Sequence, residues 1–309
     1  MSHPLFEKHR ATLDRALAAI AERGYWSPYP ESASPRNYGE GTAEAGKTAF
    51  HALLGKPFAL AQPATTGQVG AEKSPFGMAL GVTYPRADLD GLFAAIGKAQ
   101  AQWRKAGPEA WVGVCLEILE RINKESFVMA SAVMHTTGQA FMMAFQAGGP
   151  HAQDRGLEAV AYAWDEMRRI PAQAHWEKPQ GKNEPLRMEK RFRVVPRGIA
   201  LLIGVSTFPT WNGYPGLFAS LATGNAVIVK PHPGAILPLA ITVKIARDVL
   251  KEAGFDPNVV MLAADNADAP ITSEMPRGTM RQFLSSTSGS PLPCGFDQLA
   301  LAGTRFISS

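Results

Sequence analysis

Three short, uninterrupted apolar runs constrain this chain more than any other feature. Residues 199–205, 226–229 and 259–264 carry no charged side chain. A strand with one face in water alternates apolar and polar residues. A continuous apolar run instead suits a strand buried on both faces, as in a parallel sheet. Between the first two runs lies 211–222, closed by Gly224; between the second and third lies 237–253, closed by Gly254. Both intervals have helical spacing, and glycine is the residue that most readily ends a helix. Strand, helix, strand, helix, strand predicts an α/β fold with a parallel, doubly wound sheet, half of a Rossmann-type arrangement. Its ligand would sit beyond the carboxyl ends of the strands.

The 309 residues allow about two domains. With 46% hydrophobic and 19% charged residues, the composition excludes global disorder, a collagen-like repeat and a coiled-coil rod. Lys and Arg total 31 against 27 Asp and Glu, and the excess is spread along the chain. Its densest basic stretch, 187–197, contains Glu189 and alternates with Met188, Phe192 and Val194. That is a strand face, not a basic stripe, so no nucleic acid is expected as a partner. No membrane partner is expected either: the apolar runs are far shorter than the ~20 residues of a membrane span. Glu7, Lys8, His9, Arg10 and Asp14 break up any early apolar run, so no signal peptide is expected. Two cysteines, Cys115 and Cys294, cannot build a disulfide framework and fit a reducing cytoplasm.

Upstream of residue 170 the period is mainly helical. Residues 8–23 and 42–54 read as helices, the second capped by Thr42, with loop between them and irregular chain over 56–85. We expect 1–85 to be an N-terminal extension, 86–272 a partial nucleotide-binding domain and 273–309 a tail rich in Ser, Gly and Pro. Asp88 is the expected cap of a helix carrying Leu92, Phe93 and Ile96, and Pro108 the first-turn proline of the next. Further helices are expected over 125–136 and 154–170. Residues 171–185 read as a linker or loop and 186–194 as an exposed-edge strand or hairpin. Met142 and Met143, beside Phe141 and Phe145, read as core, and His135 as a packed helix-end histidine.

One motif suggests a nucleoside triphosphate as ligand. Gly41-Thr42-Ala43-Glu44-Ala45-Gly46-Lys47-Thr48 matches the phosphate-loop pattern GxxxxGK[ST]. Lys47 would meet the terminal phosphate and Thr48 a magnesium ion. The motif requires a buried strand before it, whereas 32–39 is rich in Pro and Ser. A P-loop NTPase therefore stands as one reading and a surface helix as the other. The dinucleotide fingerprint GxGxxG follows none of the expected strands, and no histidines have metal-ligand spacing, so no metal is expected.

The most specific stretch is 196–260. It contains Pro196-Arg197-Gly198-Ile199-Ala200, Val205-Ser206-Thr207-Phe208-Pro209, Leu221-Ala222-Thr223-Gly224-Asn225-Ala226-Val227-Ile228-Val229-Lys230-Pro231 and Glu252-Ala253-Gly254. In order and spacing this resembles the aldehyde dehydrogenase superfamily over about 86–271. His3-Pro4-Leu5-Phe6, Arg23-Gly24-Tyr25-Trp26 and the stretch 135–150 resemble its phenylacetic acid degradation (PaaN) group. The resemblance implies an aldehyde-dehydrogenase-like α/β fold, NADP or NAD as cofactor and a homo-oligomer in full-length members. It also implies oxidation of a CoA-linked semialdehyde arising from ring opening. In the family, a thiolate attacks the aldehyde, hydride passes to the cofactor, and the acyl-enzyme is hydrolysed.

Carried over residue by residue, the resemblance places Val205, Ser206, Thr207, Lys230 and His232 at the cofactor. Lys230 would bond ribose hydroxyls or a phosphate. Thr207 takes the place of the family's oxyanion-stabilising asparagine; its hydroxyl donates one hydrogen bond with shorter reach. His232-Pro233 replace the usual Ser-Glu, which removes a carboxylate that would repel a 2′-phosphate. After residue 272 the match is lost: the general-base glutamate and the nucleophile segment are not recognisable. Pro293-Cys294-Gly295 does not resemble the family's active-site segment. We therefore expect the catalytic domain to be missing and the chain to be inactive alone. A nucleotide-binding remnant without enzymatic activity is the alternative.

Overall fold

The structure is a computed structural model and describes residues 3–275. The chain opens with α1 (Pro4–Lys8) and α2 (Arg10–Glu22), whose Phe6, Leu13 and Leu17 are buried. A single turn, α3 (Pro35–Tyr38), precedes α4 (Thr42–Leu53). Thr42 does not cap α4. Gly41 occupies the cap at φ 76°, and the Thr42 hydroxyl donates to the carbonyls of Tyr38 and Gly39 at 2.7 and 3.1 Å. Helix α4 runs through the supposed phosphate loop, and no strand leads into it. The phosphate-loop reading is therefore overturned: the motif needs a loop between a buried strand and a helix, and here the chain is already helix from Thr42 with no strand before it.

Next come β1 (Thr65–Val69) and β2 (Tyr84–Ala87), an antiparallel pair. They lead to α5 (Leu89–Ala106), capped as expected by Asp88, whose carboxylate accepts from the Gly91 amide at 3.0 Å. Helix α6 (Pro108–Lys124) starts on its proline; α7 (Ser126–Thr137) ends at Gly138 in the left-handed region. Helix α8 (Phe141–Gly148) was not expected, and Met142 and Met143 on it are each 50% exposed instead of core. Helix α9 (Pro150–Arg168) follows.

The polar stretch expected as a loop is a strand. Chain β3 (Gln173–Gln180) pairs antiparallel with β4 (Asn183–Arg191), turning at Gly181. Strand β4 falls where the alternation of 186–194 predicts an exposed-edge strand; nearly every residue of β3 faces solvent, and it shows no such alternation.

The parallel sheet is as the apolar runs predict. Strands β5 (Ile199–Ile203), β6 (Ala226–Lys230) and β7 (Val260–Leu262) lie in the order β5-β6-β7. Helices α10 (Pro209–Ala222) and α11 (Leu237–Glu252) make the crossovers. All five residues of β6 are buried. Gly224, at φ 80°, is required before it, because a Cβ there would stand 2.5 Å from the Trp111 ring.

The first 85 residues share the core of the sheet region. One buried cluster runs from Phe6 to Met275. The Gln62 amide lies against the edge of β7, donating to the Leu262 carbonyl at 2.8 Å and accepting from its amide at 3.0 Å. A side chain thus satisfies an edge that a further strand would otherwise fill. Arg247 of α11 donates to the carbonyls of Ala61, Pro257 and Val260 at 2.7, 2.9 and 2.8 Å. Glu72 accepts from the Leu237 amide at 3.1 Å and from the Tyr84 hydroxyl, placing a carboxylate at the positive end of α11.

A second buried carboxylate joins the N-terminus to α6. Glu117 receives Lys8 at 2.6 Å, His9 at 2.8 Å and Arg121 at 2.9 Å. Burial alone would raise its pKa, but these hydrogen bonds outweigh it and hold the carboxyl at about 2, against 4.5 for a free one. Its stabilisation is therefore present above pH 4.5 and is lost as pH falls toward 2. Glu117→Gln should cost about 2 kcal/mol at pH 7, a fall of roughly 4 °C in Tm. The difference from the native chain should shrink below pH 4 in a melting series; an unchanged acid limb would refute the assignment.

Candidate cofactor site at the carboxyl edge of the sheet

The parallel register sets β5 and β6 to end together, with Ile203 opposite Lys230. The Gly204 amide then donates to the Lys230 carbonyl at 2.7 Å. Gly204 is needed for this approach: a Cβ there would stand 2.7 Å from Leu239 Cδ1 and 3.2 Å from Pro231 Cα. The two exit turns, 204–208 and 231–234, are thereby pressed together. Val205, Ser206, Thr207, Lys230 and His232 all fall at this one edge, where a parallel sheet presents its ligand crevice.

Their exposures differ. Val205, Thr207 and His232 are exposed and Ser206 is half-buried, so the first turn offers hydroxyls to a ligand. The Thr207 hydroxyl has no partner among the described residues, while Asn212 Nδ2 donates to the carbonyls of Thr207 and Phe208, each at 3.2 Å. Phe208 itself sits at φ 55°, ψ 55°. A phenylalanine in the left-handed region is uncommon and costs of order 1–3 kcal/mol, and such residues gather at functional sites. The strain sharpens the turn, so that Thr207 stands at its tip just ahead of α10. His232 is folded onto its own turn, with Nδ1 accepting from the Gly234 amide at 3.0 Å.

Lys230 is neither lone nor reaching for solvent. Its side chain is 5% exposed and its ammonium lies 2.8 Å from Asp265 Oδ1, itself 1% exposed. The other carboxylate oxygen of Asp265 accepts from the Ile271 amide at 3.0 Å. A buried charge needs such a partner, and the pair aims the lysine along the sheet edge. Sequence reasoning missed Asp265 as the partner. Its signal was an acid directly after the third apolar run, which is where the neighbouring strand ends.

These residues fit a nucleotide cofactor. A directed ammonium, two free or half-free hydroxyls and an open turn without an exposed acid suit ribose hydroxyls and phosphate. The edge is open surface. Hollows of about 480 and 350 Å³ lie elsewhere, one lined by Phe58, Gln62 and Pro85, the other by Trp111, Met167 and Phe192. Among the described residues the one cysteine is Cys115, wholly buried in α6, and burial pushes its thiol pKa up. It cannot supply a thiolate at neutral pH. Cys294 and the serine-rich stretch 285–290 lie outside the described residues.

The sequence pattern described as "aldehyde dehydrogenase family" matches residues 79–285. The chain belongs to the aldehyde dehydrogenase family. It is 64% identical to the solved NAD-dependent aldehyde dehydrogenase from Burkholderia multivorans, with a TM-score of 0.86. That match covers 91% of this chain and 50% of the other. The 1-pyrroline-5-carboxylate dehydrogenase of Thermus thermophilus shares the fold at 17% identity and TM-score 0.62, over 82% of this chain and 47% of its own. A Thermus structure of the same enzyme with bound NAD has a TM-score of 0.61, also at 17% identity, over 82% of this chain and 47% of its own. This chain therefore spans about half the length of these dehydrogenases. No curated protein matches it. No helix among the described residues is long and apolar enough to cross a membrane.

The Lys230–Asp265 pair yields a direct test. Asp265→Ala leaves a buried ammonium without a partner and should cost about 3–5 kcal/mol in urea unfolding. Replacing both partners, Lys230→Met with Asp265→Leu, should restore stability to within about 1 kcal/mol of native. A single variant as stable as the native chain would show that the pair is not buried.

Proposed function

We propose that this chain carries the cofactor-binding part of an NAD(P)-dependent aldehyde dehydrogenase. The observation that supports it best is the convergence of Val205, Ser206, Thr207, Lys230 and His232 on one sheet edge, made possible by Gly204. Lys230, aimed by Asp265, would hold the ribose hydroxyls or a phosphate of the cofactor. Ser206 and the Val205 backbone would border it. His232-Pro233 stand where the family has Ser-Glu, and with Pro233 in the carboxylate's place there is room for a 2′-phosphate, so NADP is accepted alongside NAD. The bound nicotinamide would supply the hydride acceptor. Thr207 would donate its free hydroxyl to the aldehyde oxygen as negative charge develops there.

On substrate, the likeness of the N-terminal segment and of residues 135–150 to the phenylacetic acid degradation group supports a CoA-linked semialdehyde from ring opening. The exposed β3–β4 hairpin would serve as a subunit contact in a homo-oligomer. The alternative is nucleotide binding without turnover.

Titration of the full chain with NADP and NAD, followed by Trp fluorescence, tests the reading. Saturable quenching is expected with both. The doubly substituted Lys230→Met, Asp265→Leu chain should bind about tenfold more weakly. Pro233→Glu should weaken NADP about tenfold while leaving NAD within about twofold. Absence of saturation with either cofactor would overturn the proposal. Binding without oxidation of any aldehyde would favour the alternative.

A further inference from the structure

Arg155 is a cation without an anion. The other basic side chains on α9 and at its end have acidic partners: His151 with Glu31 at 2.9 Å, Arg168 with Asp165 at 2.9 Å and Arg169 with Glu166 at 3.0 Å. Asp154, beside Arg155 in sequence, is engaged by the Ser27 hydroxyl instead. Among the described residues Arg155 makes no ion pair and no hydrogen bond, and its Nε is buried with no partner. Its guanidinium carbon stands 4.2 Å from the centre of the Trp211 ring.

Trp211 is 36% exposed and lies in the first turn of α10, one turn beyond Thr207. Its ring packs toward the strained Phe208 at 6.4 Å. The cation therefore rests on the helix start that carries the Thr207 turn. Stacking on an aromatic face satisfies one side of a guanidinium and leaves its N–H edge for a planar anion. A half-buried guanidinium with an orphaned Nε gains most from a ligand that completes its hydrogen bonds.

We infer that Arg155, shelved on Trp211, is the subsite for the anionic end of the aldehyde substrate, a carboxylate or a phosphate of its carrier. The inference rests on the aldehyde-oxidising reading and narrows its substrate class. An uncharged aldehyde would leave Arg155 unsatisfied and be disfavoured.

The test uses the full chain. NADP is titrated first; then, with NADP in excess so that the nucleotide site is filled, glutarate, coenzyme A and uncharged glutaramide are titrated by Trp fluorescence against chloride of equal ionic strength. Saturable quenching by glutarate, coenzyme A or both is expected, and none by glutaramide. Response to glutarate alone assigns the subsite to a substrate carboxylate; response to coenzyme A alone assigns it to a carrier phosphate. Arg155→Gln should weaken binding about tenfold or more, and Arg155→Lys should retain part of it. Trp211→Phe keeps an aromatic shelf and should bind while losing most of the signal change, with binding read by calorimetry. Normal NADP binding with no anion response, or Arg155→Gln binding glutarate and coenzyme A like the native chain, overturns the subsite and leaves the cofactor reading standing. Anion binding through Arg155 without NADP binding would overturn the cofactor reading and keep the subsite.

Discussion

Lys230 ends a strand whose five residues are all buried, so its ammonium must be neutralised where it stands. Asp265, just beyond the neighbouring strand, does this at 2.8 Å. Much of the site follows from that arrangement. The pair ties the end of β6 to the segment after β7, while the Gly204 amide ties the end of β5 to the Lys230 carbonyl. Three chain segments distant in sequence thus meet at one edge, and the turns that leave them form a single surface. A buried pair of this kind adds little net stability over apolar replacements. Its consequence is position: the ammonium is held between the end of β6 and the segment after β7.

The same economy appears in how the N-terminal segment is attached. It joins the parallel sheet through the side chain of Gln62, which occupies the outer edge of β7, and through β2, whose Arg86 bridges to Ala264. Glu72 places a carboxylate at the start of α11, and Glu117 gathers Lys8, His9 and Arg121. Polar side chains at element ends do the joining, while the apolar cluster from Phe6 to Met275 supplies the bulk of the burial. The expected boundary near residue 85 falls inside β2, which pairs with β1.

Beside this sheet edge, the start of α10 collects several unusual features. Phe208 is strained, the Thr207 hydroxyl is free, Asn212 pins the turn and Arg155 lies unpaired on Trp211. Strain and an unsatisfied cation both cost free energy, and a fold retains them where a ligand returns it. Hydroxyl and guanidinium differ in what they recognise. One suits an oxygen that gains charge during reaction, the other an anion present throughout.

The three apolar runs by themselves located the strands of the sheet, although only β6 and β7 are buried on both faces; in β5, at the edge, Leu202 is buried and Ile203 exposed. The helices between them were equally legible from spacing and terminal glycines. The family resemblance, not spacing, singled out Val205, Ser206, Thr207, Lys230 and His232; the parallel register puts them on one edge because β5 and β6 end together. The β3–β4 hairpin was half hidden because both its faces meet water, which removes the period that reveals a strand. Met142 and Met143 read as core because composition does not say which face of a short helix is covered. The phosphate-loop match at 41–48 misled for the opposite reason: its letters were complete, but they lie on a helix with no strand before it. Only the tertiary structure decided that Asp265 belongs to Lys230 and that Arg155 belongs to Trp211. Contacts between residues so far apart in sequence leave no local pattern, and come into being only when the elements carrying them pack.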